Sequence, residues 1–300
     1  MYDIAKLFIK YIEMIDTKRF LVTMQFNEEV FLPIFLKHYS QYFLPENIYI
    51  IDHGSQKNII PSNFNRIFIP RDKDFSEKDR LSLVQNLCNG LLNYYDYGVY
   101  ADCDELICLE NVDGKIFQLA SEIYVAGFEC SYITLDGRSY LIGIHSPDEC
   151  KPLIFNKTPS WILGFHSSLN QDPPSQIDIP MAHIKFLDQQ EATRRAEIRE
   201  GLHPSIVEIE RNSGVAGHWR NGLDENNNFY KQISLAKTGV QALEKFSPIN
   251  RDDFFTKDML LRSTLYVQPK YRFTRKGSYR DFSTLIDLSE HFPSLMAATL

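Results

Sequence analysis

The chain has 300 residues, 44% of them hydrophobic and 24% charged; this is the balance of a folded globular protein and excludes a mainly disordered one. Its formal net charge of −7 argues against a general nucleic-acid binder, because the phosphate backbone selects basic surfaces. No apolar run approaches the ~18 residues of a membrane span, and the amino terminus lacks the basic-then-apolar order of a secretory signal, so a cytoplasmic protein is expected.

Residues 1–15 place Ile4, Leu7, Phe8, Tyr11, Ile12 and Ile15 at helical spacing, which predicts an amphipathic helix over 1–18 that docks on the domain. The apolar run 20–24 predicts a strand, and Asn27-Glu28-Glu29 behind it supplies an N-cap and first-turn acids for a helix. That helix would bury Phe31, Ile34, Phe35 and Tyr39, with Pro33 in its first turn. A second strand, 48–51, ends in Asp52-His53-Gly54-Ser55, and a third, 66–69, ends at Pro70-Arg71. Ser76 reads as the cap of a helix whose apolar face is Leu83, Val84, Leu87, Cys88, Leu91 and Leu92. A short strand, 98–101, then delivers Asp102-Cys103-Asp104-Glu105. This alternation predicts an α/β protein with a mainly parallel central sheet flanked by helices. In such sheets ligands sit beyond the carboxyl ends of the strands, so Asp52, Arg71 and Asp102 should converge.

Beyond Glu105 the pattern loosens into a long strand over 123–135 and shorter ones over 151–155 and 181–186, separated by turn-rich stretches at 145–148 and 170–175. From residue 191 the chain turns polar and helical, giving an α/β domain over 19–190 and a mostly helical C-terminal region over 191–300 packed on it. Within that region Lys270, Arg272, Arg275, Lys276 and Arg280 face a single acid, Asp281. The 270–280 stretch is either a solvated loop or a peripheral contact with the inner face of a membrane or a phosphorylated acceptor. The first helix and the apolar tail 292–300 are candidate interface elements. Cysteines 88, 103, 108, 130 and 150 include no Cys-x-x-Cys pair, which fits neither a disulfide framework nor structural zinc.

Asp102 and Asp104, at i and i+2 on extended backbone, would point to one side and grip a hard cation such as Mn2+ or Mg2+. Such an ion neutralises a departing diphosphate. Many surface turns contain Asp-x-Asp; the position of this pair directly behind a hydrophobic strand, fourth in order, singles it out.

Three pieces in order over residues 20–110 resemble the bacterial family 2 glycosyltransferases with the GT-A fold. They are Gln25-Phe26-Asn27-Glu28-Glu29 with Phe31-Leu32 and His38-Tyr39, then Ile50-Ile51-Asp52-His53-Gly54-Ser55, then Tyr100-Ala101-Asp102-Cys103-Asp104-Glu105-Leu106. The resemblance implies a GT-A sheet, a nucleotide-diphosphate sugar donor (UDP by family habit) and transfer of one sugar, a hexose, to a glycan or lipid-linked acceptor in surface polysaccharide synthesis. It implies that Gln25, Asn27, Glu28, Asp52 and Ser55 line the nucleotide pocket, that Asp102 meets the ribose or a metal-bound water, and that Asp104 ligates the metal. Arg71 and Arg80 are candidates to steady the diphosphate, or surface salt bridges. A histidine from the later half would complete the metal shell: His183 first, then His166 and His218. Lys185 either meets phosphate or lies exposed, and Glu105 braces the loop. An inverting transfer needs a carboxylate base; Asp136 is the first candidate, with Glu129, Asp148 and Glu149 as alternatives. The Gln-x-x-Arg-Trp signature of processive synthases is missing. Two competing readings are a nucleotidyltransferase on a similar sheet, for which the Gln25–Glu28 loop offers no glycine-rich phosphate cradle, and an inactive nucleotide-binding scaffold.

Overall fold

The computed structural model describes residues 18–71, 76–110, 112, 114–118, 120–135, 138–145, 151–170, 175–200, 226–231, 240–242, 285–289, 292 and 295. The helix expected over 1–15, the 270–280 basic stretch, Asp136, Asp148, Glu149 and His218 lie outside the described residues.

Three mostly buried strands and a half-exposed edge strand build a parallel half-sheet. Strands β1 (Arg19–Gln25), β2 (Ile48–Asp52), β3 (Asn65–Phe68) and β4 (Tyr97–Tyr100) lie in the order β3-β2-β1-β4, all parallel. Helix α1 (Phe31–Tyr39) joins β1 to β2, and α2 (Glu77–Leu91) joins β3 to β4. The register sets Gln25 beside Asp52 and Val22 beside Tyr100, so the loops that follow these strands open on one edge of the sheet. Close packing of β4 on β1 depends on Gly98, where a Cβ would stand 2.3 Å from Phe20 Cζ.

Strands β5 (Glu105–Ile107), β6 (Glu122–Leu135), β7 (Arg138–His145), β8 (Lys151–Phe155) and β9 (Ser175–His183) extend the sheet. β8 pairs antiparallel with β4 and with β6, β6 pairs antiparallel with β7 and parallel with β9, and β9 runs antiparallel to β5. The whole is a mixed α/β architecture whose parallel strands β4, β1, β2 and β3 form one half of the sheet, with β3 at the edge. The strand expected over 181–186 begins earlier and stops sooner: it ends at His183, and Ile184–Phe186 form a 3-10 turn closed by the Leu187 N–H on Ile184 O.

Helix α1 buries the expected stripe, but not through the expected cap. Asn27 has left-handed backbone, φ 52°, and Val30 occupies the N-cap position with no side-chain hydrogen bond. Asn is among the few non-glycine residues that tolerate this conformation, and its side chain is engaged elsewhere. Pro33 sits in the first turn, where a missing N–H costs nothing. Ser76 does cap α2, accepting from the Asp79 N–H at 3.2 Å.

The short strand β5 is held in place by α1. Tyr39 Oη donates to Glu105 O at 3.0 Å and accepts from Ile107 N at 3.0 Å, while His38 Nε2 donates to Ile107 O at 2.9 Å. Three backbone groups on the β5 edge thus find partners in the core, which fixes the segment directly after Asp104.

After α3 (Gln189–Glu200) and a helical turn at 226–231, the described part of the C-terminal region contains strands as well as helix. β10 (Val240–Ala242) and β11 (Leu285–Asp287) add to the far edge of the sheet beside β7. Phe292 and Leu295, in the apolar tail expected to serve an interface, are fully buried within the chain. Phe292 lies 5.9 Å from the His38 ring, and Leu295 O accepts from Tyr132 Oη at 2.7 Å.

Candidate functional site

Asp52 ends β2 with no exposed surface and its two oxygens fully engaged. Oδ1 accepts from Gln25 Nε2 at 2.8 Å and from the Ser55 N–H at 3.0 Å; Oδ2 accepts from Arg66 Nε at 2.8 Å and from a second Arg66 nitrogen at 2.6 Å. The loop after β1 docks on the same turn, because the Asn27 N–H donates to Ser55 Oγ at 3.0 Å and Asn27 Oδ1 accepts from the Gln56 N–H at 2.9 Å. Asp52 is therefore the tie that shapes this end of the site. Its rim is half-buried: Phe26, His53 and Arg71, with the Arg71 guanidinium 3.8 Å from the Phe26 ring centroid. Gly54, at φ 74°, is required there because a Cβ would stand 2.7 Å from Arg71 N. Burial lowers the pKa of His53, and the nearby Arg71 lowers it further.

On the other side of β1 stands the Asp102-Cys103-Asp104 triplet. It is a turn rather than extended chain, closed by the Glu105 N–H on Asp102 O at 2.9 Å. Cys103 faces back to β1, with Sγ 3.4 Å from Thr23 Oγ1. The turn breaks the alternation that would have paired the two carboxylates, and each goes to its own arginine. Asp102 Oδ1 accepts from Tyr100 Oη at 2.6 Å and from Arg80, on α2, at 3.4 Å. Asp104 Oδ2 accepts from Arg195, on α3, at 2.6 Å and lies 3.6 Å from His183 Nε2. Burial would raise both carboxyls, but Arg80 holds Asp102 below the usual range, and Arg195, then His183, hold Asp104 well below it.

Arg195 is fixed on three sides. Besides Asp104 it donates to Glu28 Oε1 at 3.0 Å, and its guanidinium lies 4.8 Å from the Phe31 ring centroid. Arg80 is held similarly, 3.1 Å from Glu77 Oε1 and 4.9 Å from the Phe165 ring. Glu105 braces the turn as expected: Oε2 accepts from the Asp102 N–H at 3.0 Å, and Oε1 accepts from buried Lys151 at 2.5 Å. The strand register seats His183 between Glu105 on β5 and Glu129 on β6.

The structure thus brings Gln25, Asn27, Asp52 and Ser55 together at one end, and Glu28, Arg80, Asp102, Asp104 and His183 at the other. Arg71 belongs to the first group rather than beside Arg80. His166 closes the 3-10 turn Leu163–Phe165, whose Phe165 ring carries Arg80. Glu129 is fully buried and paired with Lys185 at 2.9 Å, so it presents no carboxylate to an acceptor. Arg195, Arg66 and Lys151 were not legible from the sequence as partners of these acids: Arg195 lies 91 positions from Asp104, on a strongly polar helix whose buried side, among the described side chains, is only Ala192, Ala196 and the acid Glu191.

Asp102, Asp104 and His183 do not fit a divalent ion as they stand. Asp102 turns to Arg80, the Asp104 oxygen nearest His183 is taken by Arg195, and among the described residues no group of three His, Cys, Asp or Glu is arranged to hold a metal.

No family model matches the chain, and no curated protein matches it. Among solved structures it is similar to a mannose-1-phosphate geranyltransferase from Thermus thermophilus, at 10% identity and a TM-score of 0.26, over 42% of this chain and 49% of that one. The match spans about half of that protein's length, and at this degree of superposition it carries no functional argument. Among the described residues no helix is long and apolar enough to cross a membrane.

Proposed function

We propose that the chain is a glycosyltransferase of the GT-A kind, moving one hexose from a nucleotide diphosphate, uridine first, onto a glycan or lipid-linked acceptor. The observation that carries the reading is the pair of charged turns at one end of the parallel half-sheet, both bordered by the loop after β1. Asn27 ties that loop to the 52–55 turn, and Glu28 ties it through Arg195 to Asp104. Two strand spacings, on the order of 10 Å, separate the turns. That span suits a nucleoside at the rim formed by Phe26, His53 and Arg71, with its diphosphate at Asp102 to Asp104.

In such a transfer the bond from the anomeric carbon to the diphosphate oxygen breaks, and its electron pair leaves with the diphosphate. The acceptor hydroxyl oxygen bonds the anomeric carbon, and its proton passes to a carboxylate on the opposite face, which gives inversion. Asp136 is the first choice for that carboxylate, ahead of Asp148 and Glu149, since Glu129 is engaged by Lys185. We place the work in surface polysaccharide assembly at the inner face of a membrane, with the 270–280 stretch as the contact.

The test is to incubate the chain with UDP-, GDP-, CDP- and dTDP-hexoses and measure release of nucleoside diphosphate, with and without glycan acceptors. Release from one donor, increased by an acceptor, supports the reading. No release and no binding of any donor sinks it, and pyrophosphate made from a nucleoside triphosphate and a sugar 1-phosphate replaces it with nucleotidyl transfer.

A further inference from the structure

The two acids that should share a cation each have one already, and both cations are arginines. Arg195 reaches Asp104 from α3, a helix that only the completed sheet brings alongside the triplet, and it bridges to Glu28 from the loop after β1. Its side chain is pinned by these two carboxylates and keeps 13% of its surface exposed. Two of its nitrogens are engaged by Asp104 and Glu28, and a guanidinium carries five N–H donors, so donors remain. Arg80 completes the arrangement on Asp102, and its Nε, buried, has no hydrogen-bond partner among the described residues. A divalent ion between Asp102 and Asp104 would need oxygens from both at ~2.1–2.5 Å, and would compete there with Arg195, 2.6 Å from Asp104 Oδ2, and with Arg80, 3.4 Å from Asp102 Oδ1.

We infer that Arg195 is the built-in cation of this site: its guanidinium, set by Asp104 and Glu28 and seconded by Arg80 on Asp102, binds the diphosphate oxygens, so that nucleotide binding needs no divalent metal. This rests on the nucleotide-diphosphate reading above. The role assigned to Asp104 changes with it. Asp104 becomes the residue that aims an arginine, through a bond 2.6 Å long, rather than a metal ligand. A fork of parallel N–H donors suits the two oxygens of a phosphate, which a lysine at the same place would meet only as a point charge.

The experiment is calorimetric titration of UDP, with GDP, ADP, CDP and dTDP in parallel, into the full chain in EDTA and again in excess Mn2+. The expected result is one nucleotide bound with affinities within threefold in the two buffers, and at least tenfold weaker binding by Arg195→Gln. Arg195→Lys should recover only part of that loss, and the melting of both variants by circular dichroism shows that they are folded. Binding that appears only with Mn2+, or tightens tenfold or more with it, overturns the inference and leaves the nucleotide reading standing. Unchanged binding by folded Arg195→Gln also overturns it. No binding of any of the five nucleotides in either buffer sinks the nucleotide reading itself. If Arg195→Gln does not fold, the wild-type comparison of EDTA with Mn2+ still decides.

Discussion

Replacing Tyr39 by Phe removes one oxygen and nothing else from a residue with no exposed surface. That oxygen satisfies two backbone groups of β5, donating to Glu105 O and accepting from Ile107 N, each at 3.0 Å. A buried backbone group left without a partner costs about 1–3 kcal/mol, and the vacated space is too small for a water to take over both bonds. Two such groups, partly relaxed, set the expected loss at about 2–4 kcal/mol. Because the hydroxyl sits behind the segment that follows Asp104, nucleotide binding should weaken as well, although Tyr39 touches no ligand. Urea denaturation of wild type and Tyr39→Phe at pH 7 measures the first effect, and UDP titration the second. A stability loss under about 0.5 kcal/mol would show that β5 is not held by α1 and would refute the account of how the triplet is positioned.

His38 gives a pH dependence of known sign. Burial pushes its pKa from 6.5 to about 4, so between those values the unfolded chain binds a proton that the folded one does not. The contribution is intact above pH 6.5 and is lost as pH falls toward 4, by about 3 kcal/mol at most. Urea denaturation at pH 7, 6 and 5 should therefore show a decline that flattens in His38→Gln; parallel declines would contradict it. Gly98→Ala places a methyl 2.3 Å from Phe20 Cζ, and the forced shift of β4 against β1 should destabilise by about 1–3 kcal/mol. Thermal melting of that variant at wild-type temperature would show that the two strands have slack they are not expected to have.

The parallel half-sheet was readable because three of its strands, β1, β2 and β4, are buried runs ended by turn residues, and because α1 and α2 carry apolar residues at helical spacing. The Asp52 and Asp102 turns were found for the same reason: each follows such a run. Local chemistry was harder to read than position. Asn27 followed by two acids has the pattern of a cap, but the chain bends through a left-handed residue there and its side chain is drawn to the Gln56 N–H. Asp102 and Asp104 have the spacing of a chelating pair only on extended backbone, and the hydrogen bond from Glu105 N to Asp102 O makes a turn instead. Arg195, Arg66 and Lys151 gave no signal, since each acts through a partner that only the assembled sheet supplies. The buried Phe292 and Leu295 read as a candidate interface because their cover, around His38 and Tyr132, is likewise remote in sequence.

Hydrogen–deuterium exchange of the full chain with and without saturating UDP tests the central claim most directly, because it reports where a nucleotide sits without assuming a reaction. The account predicts slowed exchange in peptides covering residues 25–28, 53–56 and 102–105 together with the part of α3 around Arg195, and no change along β7. Protection confined to other segments, or none at all with nucleotide present at saturation, would contradict it.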